Sequence, residues 1–136
     1  MTTTSLNRIR PANLEWETLG THGLRRKVLR YDSHTGHVTS LVDIPEGWHG
    51  GGVAHYHNAF EEVYMWSGSV TVGGRHYWHG GDYFYRPAGV VHGHDERSEE
   101  GARAIIRSDG PCELLLVHEP AEADEYPLDE ITDPRG

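Results

Sequence analysis

From Arg26 to His118 the chain is cut into short runs rich in Val, Leu, Ile, Thr and Tyr by breaks of glycine, proline and aspartate. That rhythm is the strongest restriction on its fold. The strand-forming runs are 26–31, 37–44, 61–67, 69–72, 75–78, 83–86, 90–94, 102–107 and 112–118. Between them stand Asp32-Ser33-His34-Thr35-Gly36, Pro45-Glu46-Gly47, Gly73-Gly74 and Gly80-Gly81-Asp82. Runs recurring at roughly eight to twelve residues between such turns predict an all-β sandwich or barrel. Gly73-Gly74 reads as a two-residue hairpin turn. No stretch has a helical period.

The 136 residues suit one domain with a single closed core. We divide them into an N-terminal arm (1–24), a β-barrel (25–118) and an acidic C-terminal tail (119–136). The arm is polar apart from Leu14, Trp16 and Leu19, a spacing that fits a segment laid over its own barrel or over a partner subunit. The tail carries seven acids against Arg135, which is six of the nine net negative charges, and reads as a solvated run. Phosphate binding needs a basic patch, so nucleic acid is not an expected partner. Cys112 is the single cysteine, so no intrachain disulfide forms. No apolar run reaches the length of a signal peptide core or a membrane span, and we expect a cytoplasmic protein without membrane contact.

The chemistry concentrates in residues 55–68, HYHNAFEEVYMWSG. Positions i and i+2 of a strand share a face, so His55 and His57 can aim both imidazoles at one point, half of a metal site. Glu61 could add an oxygen ligand after the turn at Asn58-Ala59, and Gly50-Gly51-Gly52 gives the pair a flexible lead-in. Glu62 competes for that role. Choosing Glu61 turns Val63 and Met65 inward, whereas Glu62 would bury Tyr64 and Trp66, so period-2 alternation favours Glu61. A second stretch, GDYFYRPAGVVHGHDE from Gly81 to Glu96, places His92 on a strand three residues beyond Gly89.

Together the two stretches resemble the cupin family. Its first motif, G-x5-H-x-H-x3,4-E-x6-G, is matched by His55, His57, Glu61 and Gly68, with His49 where the leading glycine stands. Its second, G-x5-P-x-G-x2-H-x3-N, is matched by Gly81, Pro87, Gly89 and His92, with Glu96 in place of the closing asparagine. The resemblance implies a double-stranded β-helix, or jelly-roll barrel, and a homodimer with the arm as a candidate contact. It also implies that His55, His57, Glu61 and His92 ligate one divalent transition metal per chain. A mixed nitrogen and oxygen donor set admits Fe(II), which we favour, and equally Mn, Ni, Co, Cu or Zn.

By the same alternation His94 shares the face of His92 and is a candidate general base. Phe84 is expected to extend the apolar wall of Val63 and Met65. Arg86, Arg103 and Arg107 could hold a carboxylate or enolate only if they face inward, which most arginines do not. By analogy with other cupins, the chain is expected to be a metal-dependent enzyme acting on a small molecule, first of all an O2-using dioxygenase. The alternatives are a non-redox cyclase, isomerase or lyase, and a non-catalytic metal- or ligand-sensing module.

Overall fold

A computed structural model describes residues 6–50, 55–74, 76–93, 95–110, 114–116 and 131–136, with backbone alone at 76 and 114–116. Its strands are β1 (Glu17–Leu19), β2 (Leu24–Tyr31), β3 (Val38–Ile44), β4 (Trp48–His49), β5 (His55–His57) and β6 (Glu61–Val72). They continue with β7 (His76–His79), β8 (Tyr83–Arg86), β9 (Glu96–Ser98), β10 (Ala102–Ser108) and β11 (Leu114–Leu116). One 3-10 turn, Pro11–Asn13, is the only helical piece among the described residues. No helix there is long and apolar enough to cross a membrane. The expected all-β jelly roll is what forms.

Nine strands share one antiparallel sheet whose hydrogen-bonded path runs β1-β2-β3-β10-β6-β9-β4, with β7 and β8 also pairing with β6. Strand β6 is the hub. Its first half pairs with β8 and β10, its second half with β7 and β9. Val63 and Met65 point into the core from the first half, and Val70 and Val72 from the second. The inward parity therefore changes from odd to even along one strand. The register with β10 slips at Trp66, between the pairs Ala104↔Met65 and Arg103↔Ser67, and a bulge of this kind supplies the extra residue.

Gly68 sits just beyond that bulge at φ +77°, and a Cβ there would run into the carbonyl oxygen of Gly101. The runs 61–67 and 69–72 predict two strands with a break at Gly68. Instead the glycine turns a corner inside one continuous strand, because it alone tolerates both the dihedral and the contact.

Other boundaries also differ. Val72 pairs with His76, one residue later than the two-residue turn expected at Gly73-Gly74 would place its partner. Of the run expected at 90–94, the described residues 90–93 form no ladder strand: His92 makes an isolated bridge to His55. Short strands β4 and β9, invisible as periodic runs, pair with each other. Within the arm, β1 pairs with β2, and Lys27 Nζ donates to the Pro11 carbonyl at 2.7 Å. The Trp16 ring lies 4.8, 4.5 and 5.4 Å from the cationic groups of Arg25, Lys27 and Arg103. The apolar spacing in the arm is thus met by the chain's own sheet. Gly51, Gly52, Arg75, His94, Cys112 and the tail from 119 to 130 lie outside the described residues.

Candidate metal centre

Strand β5 brings His55 and His57 to one face, and it is held from both sides. Its outer neighbour is β11, with Leu116↔His55 and Leu114↔His57 in register. On the other side His55 N–H donates to His92 O at 2.8 Å, His92 N–H donates to His55 O at 2.7 Å, and Gly89 N–H donates to His57 O at 2.9 Å. This reciprocal bridge sets His92 directly opposite His55, so three imidazoles converge. Ring centroids are 5.2 Å apart for His55 and His57, 4.2 Å for His55 and His92, and 4.8 Å for His57 and His92. One ligating nitrogen from each lies within 4.8 Å of the others, a group that could hold a metal ion.

Glu61 flanks this group. Its Oε1 lies 3.6 Å from His57 Nε2, 3.9 Å from His92 Nε2 and 3.0 Å from Arg86 Nη1. The next residue behaves oppositely. Glu62 accepts from Arg107 Nη1 at 3.1 Å and from the Tyr83 hydroxyl at 3.2 Å, on the outer face. Alternation accounts for both: Val63 and Met65 are 4% and 2% exposed, whereas Tyr64 and Trp66 are 48% and 57% exposed.

The donor set fits a cation. His92 Nδ1 lies 3.2 Å from the Val90 carbonyl, which can only accept, so the proton belongs on Nδ1 and the Nε2 lone pair faces Glu61. Burial pushes the His92 pKa down to about 2, assisted by the positive charge of Arg86 and by His55 and His57, against the Val90 hydrogen bond. A neutral imidazole and a carboxylate thus turn lone pairs toward each other, which is favourable only with positive charge between or beside them. Arg86 supplies such charge from one side.

The cluster lines a cavity of about 450 Å³, the size of a small-molecule site. Val63, Met65, Trp78, Phe84 and Ile106 form much of its apolar wall, and Leu19 and His22 of the arm also line it. The buried Trp48 Nε1–H, in the same lining, has no acceptor among the described residues. Of the three arginines weighed from the sequence, Arg103 pairs with Asp43 and Arg107 with Glu62, both outside the cavity lining. Arg86 does face inward, its side chain 12% exposed. Parity with Phe84, two residues earlier, was the signal for it.

His94, the candidate general base, lies outside the described residues. His22 reaches the cavity because the pairing of β1 with β2 carries this end of the arm to it.

The family model of the ChrR cupin-like domain matches residues 4–111. No curated protein sequence matches the chain. Among solved structures, an acetylacetone dioxygenase from Acinetobacter johnsonii is similar at 16% identity and a TM-score of 0.65, over 90% of this chain and 85% of that one. The polyketide cyclase RemF from Streptomyces resistomycificus is similar at 16% identity and a TM-score of 0.67, covering 90% of this chain and 92% of that one. The structure of Rhodobacter sphaeroides SigE in complex with the anti-sigma ChrR matches at 20% identity and a TM-score of 0.57, over 74% of this chain and 52% of that chain. At such identities the likeness is one of fold.

Proposed function

Because the chain belongs to the ChrR cupin-like domain family of the cupin superfamily, we propose that it is a metal-dependent enzyme acting on a small organic molecule, first of all an O2-using dioxygenase. One observation carries this reading: three imidazoles and the Glu61 carboxylate meet at the wall of a largely apolar cavity of about 450 Å³. His55, His57, His92 and Glu61 would hold the ion. When bound, it supplies Lewis acidity and, as Fe(II), the electrons for dioxygen chemistry.

The chain's own residues do the rest. The Val90 carbonyl fixes the His92 tautomer so that Nε2 is the donor. Arg86 orients the Glu61 carboxylate through Oε1. Val63, Met65 and Phe84 exclude water and pack a substrate body, which strengthens every polar contact inside. His94 remains the proposed general base on its two-residue spacing from His92.

A second reading, a metal- or ligand-responsive binding module, is favoured by the family's description and by the match to ChrR. Elemental analysis of protein purified without added metal, then oxygen uptake by the iron-loaded form with diketones, flavonols and phenolic polyketides, separates the readings. We expect bound iron and substrate-dependent oxygen consumption. Product without oxygen uptake would mean a non-redox cyclase, isomerase or lyase, and stoichiometric metal with no turnover would favour the binding module.

A further inference from the structure

We propose that the outward face of β6 and β8 is a docking surface for a second copy of this chain. Tyr64 and Trp66 of β6 and Tyr83 and Tyr85 of β8 lie on that face and are 48%, 57%, 58% and 52% exposed. They are contiguous. Tyr64 is the register partner of Tyr83, Glu62 is that of Tyr85, and Trp66 stands one pleat repeat from Tyr64. On the other flank Ile105 of β10 pairs with Tyr64. Single exposed apolar residues need no explanation, but large aromatic side chains gathered into one patch mark a contact surface.

The N-terminal arm, the contact expected from the sequence, is laid on the same sheet face further along. Trp16 sits over Arg25, Lys27 and Arg103, and Lys27 is 8% exposed. The ring reaches as far as Arg103 on β10, and the aromatic patch starts at Ile105, the next residue of β10 on that side. Area sets the size of the partner. An aromatic side chain buries about 150–250 Å², so four that are half exposed offer on the order of 400 Å². A stable interface takes about 800 Å² from each partner, an apolar core inside a polar rim, and this patch has the extent of such a core.

Charge sets the kind of partner. The chain carries a formal charge of −9, which repels a polyanion or an anionic lipid surface. The charges within the patch are paired with one another: Glu62 accepts from Arg107 Nη1 at 3.1 Å and from the Tyr83 hydroxyl at 3.2 Å. Such a patch can meet its own copy across a two-fold axis without bringing an excess of either sign together, and tyrosine and tryptophan are the side chains that anchor contacts of this type. The inward residues of the same two strands, Glu61, Val63 and Phe84, line the cavity, so the contact backs the wall of the candidate metal centre.

The experiment is sedimentation velocity of the full chain from micromolar to millimolar concentration, where we expect a reversible dimer. Tyr64→Lys sets like charges against each other at the centre of the patch and should weaken association at least about tenfold. Tyr77→Lys, the same change at a tyrosine 56% exposed on β7, beside the far half of β6, should leave it unaltered. A monomer throughout, a dimer untouched by Tyr64→Lys, or an equal loss in Tyr77→Lys overturns the proposal.

Should Tyr64→Lys fail to fold, judged by circular dichroism, hydroxyl-radical footprinting of the wild type decides. Trp66 and Tyr85 should become protected as the dimer forms, while Tyr77 stays reactive. Equal reactivity of Trp66 and Tyr85 in monomer and dimer overturns the proposal. None of these measurements needs bound metal or turnover, so a failure here leaves the proposed function standing, and a failure of that function leaves this surface to be decided on its own.

Discussion

Glu61 and Glu62 are chemically identical neighbours with opposite fates. One pleat step turns Glu61 toward two imidazoles and Arg86, and turns Glu62 toward Arg107 and Tyr83. We therefore expect Glu61→Gln to weaken metal binding by at least about tenfold, the lower end of the range for losing a carboxylate that supports a metal's histidine ligands. Glu62→Gln should leave it unchanged. Competition titrations with a chromophoric chelator compare the two, and a loss confined to Glu62→Gln would reverse the assignment. His57→Ala and His92→Ala should each abolish stoichiometric metal in dialysed protein, read by elemental analysis.

Among the elements, β6 and the β2-β3-β10 triplet carry separate predictions. Gly68→Ala forces a side chain into the left-handed region at φ +77° and against the backbone of Gly101, so both strand and corner must shift. The loss should exceed about 1 kcal/mol in urea unfolding, beyond the usual gain from replacing glycine. A stability equal to wild type would mean the corner relaxes freely. Asp43 joins three strands, pairing with Arg25 at 2.7 Å and Arg103 at 3.1 Å. Its burial raises the carboxyl pKa, but the two arginine hydrogen bonds outweigh it and hold the group below the ordinary 3.8.

A carboxyl depressed on folding contributes stability above its unfolded pKa and loses it as pH falls through the folded value. Asp43→Asn should therefore cost on the order of 1 kcal/mol at neutral pH, and the difference from wild type should shrink below about pH 4. Unfolding curves across pH check this. A difference that persists undiminished at the lowest pH would point to packing, not charge.

For the molecule as a whole, the proposed ligands come from distant parts of the chain: β5, the start of β6, and the segment through His92. An ion held by all of them would tie those parts together and bind only the folded state. Saturation at about a thousand times Kd adds roughly 4 kcal/mol. Chelation should thus lower the melting temperature by several degrees, and re-addition of metal should restore it. Identical scans with and without chelator would argue against a site built from these residues.

What the sequence determined by itself were the features with a local period or a fixed spacing. The two-residue alternation of His55 and His57, and of Glu61, Val63 and Met65, needs only an extended backbone to be read. The turn signals located most strands for the same reason. Tertiary structure decided what depends on partners distant in the chain. The bulge that switches the inward parity of β6 is a property of its register against β10. His92 occupies its place through two backbone hydrogen bonds to His55, not through a regular strand of its own. Arg86 is interior because the register of β8 on β6 sets it opposite Glu61, and that pairing offsets the cost of burying a guanidinium. No run of residues around Arg86 encodes that partner, since the carboxylate that makes its burial tolerable lies 25 positions away.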